Sequence, residues 1–297
     1  MKYRMSEEAY IVHEWPDVVD PILVVALEGW IDASGAAMGA LNILGSKLNA
    51  RPVATFDADQ FLDFRARRPT MQLRDGVNIG LVWPDTQLKV GRSSGGRDVL
   101  LLTGHEPDMR WRAFCEAVVH IATTLGVART IGFGAYPIAV PHSRPSRLSV
   151  SCSSPDILAH LPYQRNSVDV PAGAGAALEQ ALGDAGIESF TLWAQIPHYL
   201  AANPYPAGSL ALLTGLAQTT GIEVDANELA DEAVIVRTRV DELVKGNPEH
   251  LSMLAQLEEA WDGATQTEPV TSIDTAELPS GDELAAELEK YLRDHGA

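Results

Sequence analysis

The chain reads as an α/β protein built on a mainly parallel sheet with helices on both sides. Three observations predict this. Short runs of apolar, β-branched residues recur at Pro21–Leu27, Pro52–Asp57, Asp98–Leu102, Thr130–Gly134 and Phe190–Ile196. Each is a length that suits a strand, and most are continuously apolar, as strands covered on both faces are. Between several of them lie segments with helical spacing, the alternation that gives parallel strands linked by crossover helices.

The chain has 297 residues, room for one large α/β domain and an appendage. Apolar residues make up 46% and mean hydropathy is −0.02, as in ordinary globular proteins. No apolar run approaches the length that crosses a bilayer, and residues 1–17 lack the basic-then-apolar order of a signal peptide. Cys115 and Cys152 are too few for a disulfide framework, and their surroundings suit buried thiols. A cytoplasmic protein without a membrane partner is expected. The net charge of −18 is uneven: Glu223 onward holds 19 acidic and 5 basic side chains, leaving −4 for the first 222 residues. Such a chain repels phosphate backbones, so nucleic acid is not an expected partner. The basic cluster Arg65, Arg67, Arg68 and Arg74 reads as a solvated loop and its flank.

After the first strand, Glu28-Gly29-Trp30-Ile31-Asp32 leads into a small-residue helix from about Gly35 to Leu48, which Asp32 or Ser34 can cap. Met71–Trp83 holds two alternating runs about Asp75-Gly76, a β-hairpin signal. Gly91–Arg97 reads as a flexible turn without the Gly-Lys-Ser/Thr ending of a phosphate loop. A helix follows from about Met109 to Leu125, with Phe114, Val118, Ile121 and Leu125 on one face and Gly126 at its end. Arg147–Cys152 alternates as a strand, Ser154 caps a short helix, and Gly173–Ala185 is an Ala-rich helix. Pro197 stops the Phe190–Ile196 strand, and Pro206 opens the next helix.

The rest is helical. Leu229, Ala233, Val236, Val240 and Leu243 are spaced 4, 3, 4, 3, an apolar seam over two heptads. Gly246-Asn247-Pro248 breaks it, and Leu251, Leu254, Leu257 and Trp261 continue on a second helix. The expected division is an α/β domain over 1–222, a helical hairpin over 223–263, and a linker with a last helix over 264–297 that packs back on the α/β domain. Ser280-Gly-Asp-Glu283 is a capping box for that last helix, Leu284 to about Arg293.

Glu28, Asp32, His105, Glu106, Tyr136 and His198 all fall just after expected strands. In an open α/β sheet those ends share a rim, where ligands gather. A carboxylate beside a histidine suits acid–base chemistry or a metal. Each also has a local role open to it: Asp32 as a cap, Glu106 as an acid at a helix N-terminus, His198 bonded to backbone in its turn. No H-x-x-x-H or C-x-x-C occurs, so no metal is expected, nor any cofactor, and no residue is assigned a catalytic role.

Four stretches match more than a fold. They are Leu27-Glu28-Gly29-Trp30-Ile31-Asp32, then Gly104-His105-Glu106-Pro107-Asp108-Met109-Arg110-Trp111-Arg112-Ala113-Phe114, then Val140-Pro141-His142-Ser143-Arg144-Pro145, and Pro197-His198-Tyr199-Leu200 with Tyr205-Pro206. In this order the chain resembles the proteasome assembly chaperone 2 family, in its actinobacterial-type branch, over roughly residues 20–292. The resemblance implies a three-layer sandwich of nucleoside phosphorylase-like topology with a small helical appendage. It also implies homo-oligomers, dimer or trimer, and a role as a non-catalytic binding or assembly factor with a protein partner. Relatives dock on the proteasome by a C-terminal hydrophobic-Tyr-any tail; this chain ends Asp294-His295-Gly296-Ala297, so docking by that tail is not expected. The alternative is a small-molecule enzyme or ligand sensor using the rim for a nucleoside-like or carboxylate substrate. An ATP-dependent carboxylate–amine ligase label attaches to the bacterial branch, and no nucleotide motif here supports it.

Overall fold

The computed structural model describes residues 9–264. Strand β1 (Tyr10–Val12) precedes β2 (Ile22–Glu28), α1 (Ala36–Lys47), β3 (Arg51–Phe56) and the short α2 (Ala58–Phe61). The hairpin β4 (Thr70–Arg74) and β5 (Val77–Val82) follows, then β6 (Thr86–Arg92), β7 (Asp98–His105) and α3 (Trp111–Thr124). Next come β8 (Arg129–Ile138), β9 (Leu148–Cys152), the short α4 (Pro155–Leu158), α5 (Ala174–Asp184) and β10 (Glu188–Pro197). Three helices close the described chain: α6 (Pro206–Thr220), α7 (Asn227–Lys245) and α8 (Pro248–Gly263). The linker and last helix expected at 264–297 lie, but for Ala264, outside the described residues.

Eight strands form the main sheet in the order β1-β3-β6-β7-β2-β8-β10-β9. The central strands β7, β2, β8 and β10 pair in parallel. Strand β3 shares their direction, while β1, β6 and β9 run the other way. The five strands expected from apolar runs are thus the five that point one way. The other three escape a search for apolar runs, or are short. β6 (TQLKVGR) alternates and takes in Gly91 and Arg92, so the flexible turn shrinks to Ser93–Arg97. β1 has three residues.

Helices α1 and α6 cover one face of the sheet, and α3 and α5 the other, with an apolar core on each side. β2 is buried from Ile22 to Ala26, as a strand covered on both faces must be. Helix α7 packs on α6, and α8 on α7. Leu229, Val240, Val244, Met253 and Leu257 join the α1–α6 core, so the helical hairpin extends that core. The α8 seam differs from the expected spacing. Met253 and Leu257 turn inward with His250, while Leu251 is exposed, because α8 meets α7 on the face one residue round.

Candidate functional site

The sheet has one place where its connections change sides. After β2 the chain crosses through α1 toward β3, and after β7 it crosses through α3 to β8, on the opposite flank of β2. Crevices at such switch points are where open α/β sheets take ligands. Here the two strands part. β2 pairs with β8 only from Ile22 to Val25, opposite Arg129 to Gly132. Beyond that β2 stays with β7 as far as Glu28 and His105, and β8 stays with β10 as far as Ile138 and Pro197.

A cavity of about 50 Å3 occupies the crevice on the α5 side. Gly132 of β8 lines it, and two glycines of β8 leave room for side chains of β10. A Cβ on Gly132 would come within 2.4 Å of Thr191 Oγ1, and one on Gly134 within 2.3 Å of the Trp193 ring. The Trp193 indole instead lies against the bare backbone and donates from Nε1 to Ser151 Oγ at 3.0 Å. Glu179 of α5 accepts from Ser151 Oγ at 2.9 Å and Thr191 Oγ1 at 2.6 Å. Burial pushes the Glu179 carboxyl above its ordinary range, against those two hydrogen bonds. At the carboxyl end Glu106, 7% exposed, accepts from the backbone N–H groups of Trp30, at 3.0 Å, and Ala174.

Of the six rim residues, Glu106 lines this cavity. It does stand at a helix N-terminus, but that of α5, which begins 68 residues further along the chain. Gly29 must be glycine for it, since a Cβ there would lie 1.9 Å from Glu106 Oε2. Glu28 and His105 meet, with Oε2 and Nδ1 3.3 Å apart on the outer rim. Asp32 caps α1, accepting from Ala37 N at 2.7 Å and Met38 N at 3.0 Å. A left-handed pair, Ser34 and Gly35, loops the backbone so that Asp32 reaches those amides. Burial raises the Asp32 carboxyl even so. Tyr136 turns toward β9, its hydroxyl 3.1 Å from Ser149 Oγ and within reach of Asn166 Nδ2 and Gln195 Nε2. His198 bonds the backbone of Ile138, lies edge-on to Tyr199, and is lowered in pKa by burial. The six therefore divide among five separate settings.

Glu179, Ser151, Thr191 and Trp193 were not among the sequence candidates. A signal existed: Ser189, Thr191, Trp193 and Gln195 alternate with Phe190, Leu192, Ala194 and Ile196 along β10. A strand covered on both faces has no ordinary use for that polar side.

A second polar assembly joins the helical hairpin to the sheet. His142, 3% exposed, places Nδ1 2.7 Å from the Tyr199 hydroxyl and Nε2 3.2 Å from Asp241 of α7. Ser143 donates to Glu258 of α8, and Arg144 forks onto Asp262 at 2.9 and 2.8 Å while also reaching Glu258. Arg147 stacks over Trp261 with its guanidinium carbon 3.8 Å from the ring centroid. The Pro141-His142-Ser143-Arg144 and His198-Tyr199 motifs thus meet at the base of the appendage.

The letters of Gly91-Arg92-Ser93-Ser94-Gly95 fit a serine-nucleophile elbow, G-x-S-x-G. Here they bridge two antiparallel strands, and Ser93 Oγ accepts from Arg97 N at 3.0 Å; the strand-to-helix turn of an elbow is absent. Among the described residues no group of three or more His, Cys, Asp or Glu side chains is placed to hold a metal. Nor is any helix among them long and apolar enough to cross a membrane.

Fold and joint together define a three-layer α/β sandwich with a helical annex locked onto one face. The chain belongs to the PAC2 family, whose sequence profile matches residues 26–244. It is similar to a PAC2 family protein from Streptomyces avermitilis at 35% identity and a TM-score of 0.73, covering 79% of this chain and 100% of that one. A proteasome-assembly chaperone homologue from Mycobacterium tuberculosis is 31% identical, with a TM-score of 0.74 and coverage of 80% and 99%. A protein of unknown function from Corynebacterium glutamicum aligns at 30% identity and a TM-score of 0.81, over 86% and 97%. An archaeal proteasome activator from Pyrococcus furiosus shares the fold at 16% identity and a TM-score of 0.65. Among curated proteins nothing matches.

Proposed function

We propose that this chain is a cytoplasmic assembly factor, similar to the proteasome assembly chaperones, that holds a protein partner and catalyses no reaction of its own. The observation that carries the reading is the β4–β5 hairpin. It stands outside the main sheet as a two-stranded ribbon. Met71, Leu73, Val77, Ile79, Leu81 and Trp83 are all exposed, from 44% for Leu81 to 61% for Val77. A two-stranded ribbon is marginal alone in water, and a contiguous apolar surface of this kind marks an interaction site. Its base is pinned by Phe64 against Trp83, with ring centroids 4.8 Å apart. Exposed Arg65, Arg68 and Arg74 flank it in a chain of net charge −18, so the surface suits an apolar patch rimmed by carboxylates. Two hairpins face to face would bring like charges together.

The likeness to the proteasome-assembly chaperone homologue of M. tuberculosis suggests a proteasome subunit as that partner. Closed homo-oligomers, dimer or trimer, fit the same reading. The test is sedimentation velocity of the chain with purified bacterial proteasome α-subunits, beside an Ile79→Glu/Leu81→Glu double variant. A complex with wild type, lost in a variant that melts at the same temperature, supports the reading. No complex, or one the variant forms equally, defeats it. A single 32.0 kDa species at micromolar concentration would defeat the oligomer.

A further inference from the structure

We propose that the crevice between β2 and β8 binds the ammonium head of a small organic amine. The inference does not rest on the protein-partner reading, since hairpin and crevice share no residue. The place comes first. The strands part at the switch point, and Gly132 of β8 lines the gap without a side chain.

The chemistry of the walls comes second. Glu106 and Glu179 both line the cavity, and no Lys, Arg or His does. Each carboxylate has already been given neutral donors, backbone N–H groups for Glu106 and hydroxyls for Glu179. A carboxylate offers about four lone-pair sites, so both can still accept from a cation. Thr130 sits deeper in the same wall, 3% exposed, and its Oγ1 has no hydrogen-bond partner among the described residues. A buried hydroxyl without a partner is unusual, and an ammonium or the water it carries would satisfy it. Trp193 and Trp30 complete the lining. Indole faces attract cations, and Trp30 is 67% exposed at the carboxyl end of the crevice.

Size and charge narrow the ligand further. About 50 Å3 holds a few waters or an ammonium head, far below the several hundred Å3 of a drug-sized or nucleoside pocket. Two carboxylates without a counter-charge repel carboxylate and phosphate ligands. An amine with a short apolar stem meets every group in the walls.

The test is thermal melting, followed by tryptophan fluorescence, of the full chain titrated with ethylammonium chloride. Sodium chloride at equal ionic strength and sodium acetate are run beside it. Wild type should show a saturable rise in melting temperature with ethylammonium alone, since a ligand that binds only the folded state stabilises it. Glu179→Gln should weaken the midpoint at least tenfold. Thr130→Val, which keeps the volume and removes the hydroxyl, should weaken it several-fold and serves if the first variant folds poorly. A rise no larger than sodium chloride gives overturns the proposal. So does an equal response to acetate, or a wild-type midpoint in both variants. Loss of subunit binding in the hairpin variant leaves these readings unmoved, which keeps the two proposals separable.

Discussion

His142 Nε2 lies 3.2 Å from Asp241 Oδ1, joining the loop after β8 to the C-terminal part of α7 across 99 residues. Asp241 and the Tyr199 hydroxyl together set the tautomer. The Asp241 carboxylate can only accept, so Nε2 carries the hydrogen and Nδ1 of the neutral ring accepts from the Tyr199 hydroxyl, whose oxygen accepts from the His142 backbone N–H at 2.9 Å. A neutral, buried imidazole thus holds the annex to the sheet.

His142→Gln should cost about 1–3 kcal/mol, the price of leaving buried partners unsatisfied. The loss should also depend on pH. Burial lowers the His142 pKa, and Arg237 adds to this, while Asp241 and Glu258 pull the other way. A folded pKa below the unfolded value near 6.5 means the unfolded chain binds the proton more readily. The contribution is therefore complete above pH 6.5 and is lost as pH falls through the folded value. Urea melts of wild type and variant between pH 8 and 5 should converge toward the acid end; parallel curves would show that His142 does not titrate on unfolding.

Leu257→Ala should destabilise the whole protein by about 2–5 kcal/mol, because Leu257 is fully buried in a core shared with α6 and α7. Calorimetry should give one transition at a lower temperature. Two separated transitions would mean the annex melts by itself.

Gly134→Ala should cost about 1–3 kcal/mol, since the added methyl meets the Trp193 ring on a rigid strand. Displacing the indole breaks the Trp193–Ser151 hydrogen bond. A shift of tryptophan emission without loss of the folded circular dichroism is the expected signature, and unchanged emission counts against the geometry.

Glu179→Gln should stabilise the free protein at neutral pH. The folded pKa of Glu179 is raised, so its stabilising share is present below the unfolded value and is lost as pH rises through the folded one. Above that window the variant should melt higher than wild type, and below about pH 4 the two should agree. A variant less stable than wild type at pH 7 would show the ionised carboxylate to be needed for the fold.

The sequence by itself determined the scaffold. Runs such as Ile22–Ala26 and Phe190–Ile196 can be buried only as strands, and helical spacing between such runs forces crossovers and hence parallel pairing. Asp32 was legible as a cap, and Asp75-Gly76 as a turn, because both act within a few residues. The α7 seam was legible for the same reason, down to Leu229 and Val240. Tertiary structure decided what those elements meet. Glu106 caps a helix 68 residues on, and Glu179 finds hydroxyls on two strands. His142 bonds a carboxylate 99 positions away. Local periodicity carries no record of such distant partners, which depend on strand order. The crevice likewise exists because β2 and β8, adjacent only after α3 crosses the sheet, stop pairing at Val25 and Gly132.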